Sequence, residues 1–317
     1  MKPIYNPTVL LFLFFSPSLL GRTTRFAINN FSPEKIIVTK RIKSSHSLIT
    51  FIKYCGSSFI IKQKLREHSN YWSVMQAILA DVFAHSTETV PSQRVRLIPN
   101  YVNFPTKLHK DTPAALLTII SGKSIRQWHR TSPRQITAKT KRLLKHLVMK
   151  QSKGMNARIL QSITRHPDLS HILALHIILG FYDGHDGNIF YDQQTNRFAI
   201  IDMDSSFKEN LANGSYVFLK KYFMKKKISP DEKKALLIVA DTLELLIQRN
   251  SIKKIKEVAI EIAHALKSTE IEGEQQFKKR IVQVESFLKE SYESAKKLIY
   301  LIKNGKEPDK IIHKRTF

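Results

Sequence analysis

The sequence predicts an α+β protein built as two lobes, a β-rich one followed by a helical one. Three observations predict it. Short β-branched and aromatic runs, separated by Ser- and Gly-containing turns, dominate the chain from Lys35 onward. Beyond residue 130, apolar residues recur at helical spacing behind Ser, Pro and Asp start signals. A chain of 317 residues that is 42% hydrophobic carries enough apolar surface to bury a core in both lobes. On this reading residues 30–130 form the N-terminal lobe, residues 131–317 the helical C-terminal lobe, and residues 1–24 stand apart.

Those first residues, "MKPIYNPTVLLFLFFSPSLLGRTT", hold an apolar stretch from Val9 to Phe15 that Pro17 interrupts. It is short of the roughly 20 residues needed to span a bilayer and close in length to the apolar region of a signal peptide. No clean small-x-small cleavage site follows. A signal peptide or an N-terminal anchor is expected, and with it a secreted or membrane-associated protein. A cytoplasmic chain is the alternative.

In the N-terminal lobe, "KIIVTKRI", "SLITFIKY" and "SFIIKQ" read as strands, the last two joined through "CGSS" as a hairpin that ends on Lys62. A helix is expected over 64–84, where Trp72, Met75, Ile78, Leu79 and Val82 recur near a three-to-four spacing. "RVRLIP" is a further strand, and an irregular segment after it leads into a strand or short helix. In the C-terminal lobe, "TSPRQITAKTKRLLKHLVMK" offers Ser132 as N-cap with Pro133 at the first helical position. "HPDLSHILALHIILG" repeats that logic and stops at Gly180. Ser229, Pro230, Asp231 and Glu232 start another helix, and two more are expected over 252–266 and 274–303.

The formal charge of +26, from 52 Lys+Arg against 26 Asp+Glu, favours anionic partners. A single cysteine, Cys55, excludes an intrachain disulfide framework and any Cys-based metal site. There is no RNP-type aromatic pattern, zinc finger or basic-region zipper, so nucleic acid is disfavoured as a partner.

One segment concentrates chemistry. "GFYDGHDGNIFYDQQTNRFAIIDMDSSF", residues 180–207, contains three of the chain's ten glycines and five aspartates. It reads as helix end, loop, strand, turn and strand. The hairpin folds back on itself, so Asp202 returns to the neighbourhood of Asn188, with Asp183 across the loop. Phosphoryl transfer needs such a set: one Asp to accept the proton of the attacking hydroxyl, and an Asn and a second Asp to hold Mg²⁺ against the phosphates. Asp186 and Asp192 read as turn or surface residues.

"DGHDGNIF…AIIDMD" resembles the catalytic and metal-binding loops of the protein-kinase-like superfamily, in its phosphatidylinositol 3-/4-kinase-like or HipA-like branch. There the loops read D-R-H-x-x-N and I-D-F/x-G. The resemblance implies a two-lobed kinase-like fold, use of ATP and Mg²⁺, Asp183 as the catalytic aspartate, His185 as the loop histidine, and Asn188 and Asp202 as the metal ligands. Gly184 stands where that branch has arginine, and Asp204 stands where it has glycine. The superfamily also needs a strand lysine for the phosphates. Lys62 is placed for it, with Glu67 as the acidic partner on the next helix and Asp81 and Glu88 as alternatives. "KSSHS" occupies the place of a glycine-rich loop.

The function expected from these residues is an ATP- and Mg²⁺-dependent phosphotransferase acting on a protein Ser/Thr or a phosphoinositide hydroxyl. The alternative is a catalytically impaired kinase-fold module that docks on anionic membranes or acidic partners, as Gly184, Asp204 and the missing glycine loop suggest. "LKKYFMKKK", residues 219–227, is a basic segment that could meet an anionic acceptor or a membrane surface. "SGKS" at Ser121–Ser124 is not a phosphate loop, because Leu117 stands where that motif requires glycine. His166, His171 and His176, five apart, fan around their helix and read as structural.

Overall fold

The computed structural model describes residues 35–43, 46–65, 67–89, 92–98, 112–148, 155–180, 186–207, 228–266 and 274–305. They form the fold class expected, a β-sheet N-terminal region followed by a helical C-terminal region. The β-branched and aromatic runs become β1 (Ile36–Lys43), β2 (Ser47–Tyr54) and β3 (Ser57–Lys64), paired antiparallel. Tyr54 pairs with Ser57 across a two-residue turn in which Cys55 and Gly56 take φ of 46° and 80°. Positive φ at both positions matches the twist of the flanking strands, so the lone cysteine is a turn residue. Helix α1 (Glu67–His85) follows, then β4 (Val95–Ile98) and β5 (Ala114–Thr118), which complete a five-stranded sheet in the order β1-β2-β3-β5-β4.

Side-chain alternation gives this sheet two different faces. Phe59 and Ile61 of β3 join Ile52, Ala114 and Leu116 in a small apolar cluster on one side. Ala115 and Leu117 of β5 enter the main core on the other, with Ile60 of β3 packed against it. Lys62 and Lys64 share the parity of Ile60, and Lys62 pairs with Ala115 across the sheet. Against this face α1 buries Tyr71, Met75, Ile78, Leu79 and Phe83, and the same core continues into the helical region. Burying each such side chain contributes about 1.5–3 kcal/mol, so one continuous core ties the two regions together.

The second region opens with β6 (Lys123–Ser124) and α2 (Ile125–Arg130). It continues through a 3₁₀ turn (Pro133–Gln135), α3 (Ala138–Val148), α4 (Met155–Leu160) and α5 (Pro167–Leu179). The hairpin of β7 (Ile189–Asp192) and β8 (Arg197–Ile200) pairs with β6 in a three-stranded sheet. Helices α6 (Pro230–Arg249), α7 (Ile252–Ala265) and α8 (Glu274–Asn304) complete it. Nearly every side chain of α5 is buried, which places it at the centre of the region. The segment "SGKS" is a turn and a helix start. Gly122 has φ of 91°, and a Cβ there would lie 2.5 Å from the Tyr191 carbonyl oxygen. The Ser124 hydroxyl accepts from the Gln127 amide at 3.2 Å and caps α2.

Ser229 and Glu232 form the reciprocal cap of α6 that their spacing predicts. The start expected at Ser132 and Pro133 is different. Those residues make only the 3₁₀ turn, and α3 begins five residues later, where the Thr137 hydroxyl accepts from the Thr140 amide at 3.2 Å. A second capping residue inside the run outcompetes the first. The expected location, secreted or membrane-associated through the N-terminal hydrophobic segment, is also corrected. No helix among the described residues is long and apolar enough to cross a membrane, and residues 1–24 lie outside the described residues.

The three histidines serve α5 separately. His166 caps it through Nδ1, His171 meets Thr242 at 2.8 Å, and His176 meets Asn156 Oδ1 at 2.7 Å. His176 is completely buried, and burial pushes its imidazole down to about 3 from its ordinary 6.5. Between those values the unfolded chain binds a proton here that the folded chain does not, so stability rises with pH across the window and is lost as pH falls from 6.5. Denaturant unfolding between pH 6 and 4 will therefore show a loss of up to about 1.4 kcal/mol per pH unit from this site. In His176→Gln the slope will be shallower by one proton.

Candidate active site

The end of β3, the neighbouring strands β4 and β5, the inner face of α1 and the loop that leaves β8 converge on one cavity. Its lining includes Lys62, Lys64, Ala115, Leu117, Asp202 and Asp204. Lys62 comes from β3, and Asp202, 140 residues later, accepts a hydrogen bond from its ammonium. The lysine also lies 3.0 Å from Asp204 Oδ2. Lys64, two residues on and therefore on the same face, reaches that oxygen at 2.7 Å. The Ser73 hydroxyl of α1 donates to it at 2.9 Å.

Burial makes the electrostatics of this group strong. The Lys62 side chain is 12% exposed, that of Asp204 8%, and that of Asp202 33%. Burial alone would lower the Lys62 ammonium, but Asp202 and Asp204 outweigh it and hold its pKa above the ordinary value. Burial and the neighbouring Asp204 raise Asp202 above its ordinary value, with Lys62 only partly offsetting them. Burial acts the same way on Asp204, but Lys62 and Lys64 together reverse it and bring the carboxyl down to about 2. Asp204 is thus the firmly ionised member, and Asp202 the one whose charge is least settled.

The hairpin places Asp202 as its register dictates. Ile189 pairs with Ile200, and the Ile201 amide donates to the Asn188 carbonyl at 2.9 Å, so the chain leaves β8 beside buried Asn188. Asp202 then takes φ of 59°. The left-handed region is costly for a residue with a Cβ, by about 1–2 kcal/mol, and such strain collects at functional sites. The loop is pinned further along. Gln76 of α1 donates to the Ser206 carbonyl, the Phe207 amide donates to the Leu179 carbonyl at 2.9 Å, and the Phe207 ring lies between Phe83 and Phe287 at centroid distances of 6.1 and 5.7 Å.

Asp183 and His185 lie outside the described residues, but both flanks of their loop are described. Gly180 ends α5 with φ of 55°, the left-handed conformation glycine adopts most readily. Asp186 accepts from Arg126 at 3.0 and 3.1 Å through the side chain, and its carbonyl accepts from the Arg126 amide at 2.9 Å. Asp192 is a turn residue: its carboxylate accepts from the Gln194 amide and the Ser121 hydroxyl, both at 2.9 Å. Glu67 opens α1, and its side chain lies outside the described atoms. Asp81, the first alternative to it, pairs with His85 at 2.9 Å and accepts from the Val95 amide. The basic run 219–227 and the "KSSHS" serines at 44 and 45 also lie outside the described residues.

Lys64, Ser73 and Gln76 are site residues that the sequence reading did not pick out. Lys64 had a signal, since a strand with Lys62 on one face puts residue 64 there too. Ser73 had none, because nothing local marks which serine of a helix meets a loop 131 residues away.

No family model matches this sequence, and no curated protein matches it. Among solved structures, the chain is similar to a Helicobacter pylori proinflammatory kinase, CtkA. The identity is 13%, with 84% of this chain and 96% of the other covered, at a TM-score of 0.49. It is also similar to spectinomycin phosphotransferase APH(9)-Ia, crystallised with ADP and spectinomycin. There the identity is 11%, with 83% and 92% covered, at a TM-score of 0.25. Both scores fall below one half, so the reading of the site rests on its own geometry.

Removing one cation from this group will expose the balance of charge. Lys62→Met leaves the buried Asp204 carboxylate and the part-exposed Asp202 facing Lys64 alone and will lower the unfolding free energy by about 3 kcal/mol at neutral pH. The deficit will shrink in mild acid, because Asp202, already raised, takes up a proton and removes the uncompensated charge. Urea unfolding at the two pH values measures both.

Proposed function

We propose that this chain is an ATP- and Mg²⁺-dependent phosphotransferase of the kinase-like, two-lobed kind, with lobes at 30–130 and 131–317. The observation that carries the reading is the contact between Lys62 of β3 and Asp202 after β8. A strand lysine and a hairpin carboxylate from opposite regions of the chain meet in one partly buried cavity. A lysine there can grip nucleotide phosphates, and a carboxylate there would help hold a metal ion bound with them.

The donor set suits Mg²⁺. Asn188 and Asp202 offer an amide oxygen and a carboxylate, hard ligands in the small number this ion takes from protein. Among the described residues no group of three or more His, Cys, Asp or Glu could hold a metal, so a cage built wholly from such side chains is not what these residues offer. Bound Mg²⁺ supplies neutralisation of charge on the phosphate oxygens. In this reading Asp183 accepts the proton of the acceptor hydroxyl, His185 belongs to the same loop, and Asn188 and Asp202 bind the metal. Glu67 is the candidate on α1 for steadying the lysine. The acceptor is a protein Ser/Thr or a phosphoinositide hydroxyl, in keeping with the phosphatidylinositol 3-/4-kinase-like or HipA-like loop pattern.

A second reading, a kinase-fold module that binds without turnover, is favoured by one observation. Lys62 is held by Asp202 and Asp204 together, which engages the lysine and a metal ligand with each other. ATP hydrolysis and phosphate transfer by the purified protein, beside Asp202→Ala, separate the two. The phosphotransferase turns ATP over and Asp202→Ala loses at least about 100-fold; equal background rates in both overturn the enzyme. Mg²⁺ and ATP at 100 times their Kd will raise stability by about 2.7 kcal/mol under either reading, seen as a thermal shift.

A further inference from the structure

Among the described residues, the acids that meet Lys62 come from the loop after β8. Among the described residues, α1 presents Ser73, Val74 and Ala77 to the cavity, none of them acidic. Across from them Asp204 is buried, and a single oxygen of it receives Ser73 at 2.9 Å, Lys64 at 2.7 Å and Lys62 at 3.0 Å. Asp202, the other partner of Lys62, is about four times as exposed, at 33% against 8%. One carboxylate is locked by three donors and the other is open to exchange its partner.

We propose that Asp204 is the positioning residue for Lys62, holding its ammonium toward the nucleotide phosphates so that Asp202 can leave the lysine for the metal ion. The proposal rests on the phosphotransferase reading above. Ser73 and Lys64 act one step further out. Ser73 fixes the carboxylate to α1, and Lys64 brings a second positive charge to the same oxygen, so the carboxylate stays anchored while Lys62 engages a ligand. The helix is thereby coupled to the lysine through a hydroxyl and the loop's own aspartate. An aspartate in the place of a glycine is then part of the machinery and not a lesion in it.

Two readouts test this, one of them independent of turnover. In the ligand-free protein, Lys62 reactivity toward acetic anhydride is followed by mass spectrometry at mildly alkaline pH. It is expected to rise about tenfold in Asp204→Asn, where the ammonium loses one of the two carboxylates that hold it. It should rise about threefold in Ser73→Ala, which keeps both charges and covers the case in which Asp204→Asn does not fold. In turnover, Asp204→Asn should raise KM for ATP about tenfold with a smaller change in kcat, as expected when a group that binds the phosphates is misplaced. Unchanged Lys62 labelling in the folded variants overturns the proposal, as does a rise produced by Glu67→Ala in place of Asp204→Asn. If wild type turns over no ATP, the phosphotransferase reading falls, and the labelling alone decides whether Asp204 positions Lys62.

Discussion

Two lysines and two aspartates are packed together where the end of β3 meets the loop leaving β8, and much of the surrounding structure follows from keeping them there. A buried ammonium without a partner costs several kcal/mol, and so does a buried carboxylate. Together they are tolerable only if each is close to an opposite charge and its remaining hydrogen-bonding capacity is used. That requirement places β3, α1 and the loop from Asp202 to Phe207 within a few ångströms of one another. The continuous apolar core supplies the stabilisation, while the four charges set which surfaces meet.

The loop that carries the two aspartates is restrained at more than one point. Its start is set by the β7–β8 register and its end by the Phe207 ring between Phe83 of α1 and Phe287 of α8. Between them, Asp202 and Phe207 both hold positive φ, 59° and 62°. Backbone in that region persists where neighbours over-determine it, and here side chains from α1 and a carbonyl of α5 do so. The restraint matters for chemistry because a metal-binding carboxylate must be held in place before its ligand arrives. The helix α1 is part of this clamp through Ser73 and Gln76, so a shift of α1 would move Asp204 and Ser206 with it.

The contrast between Asp202 and Asp204 also bears on the meaning of a departure from a family pattern. Read one position at a time, an aspartate in place of a glycine looks like a loss. In three dimensions it faces Lys62, Lys64 and Ser73, and the group as a whole balances two positive charges against two negative ones. Charge compensation of this kind is a property of the set and cannot be seen at any single member.

Local chemistry made a good share of this molecule legible. Short β-branched and aromatic runs placed β1 to β3 nearly to the residue, the hairpin turn expected within "CGSS" fell on Cys55 and Gly56, and Ser229 with Glu232 marked the start of α6. These succeed because backbone hydrogen bonding and capping are settled within a few residues. Where two caps compete within one run, at Ser132 and Thr137, the same short-range reasoning cannot rank them, and the structure starts the helix at the later one. The sequence alone also determined that Asp202 returns beside Asn188, since a hairpin brings its ends together whatever surrounds it. Only the tertiary structure decided that Lys62 meets both Asp202 and Asp204, that Lys64 and Ser73 join them, and that α1 contributes a hydroxyl. Those contacts span more than 120 residues of chain, and their energy depends on burial that no local pattern encodes.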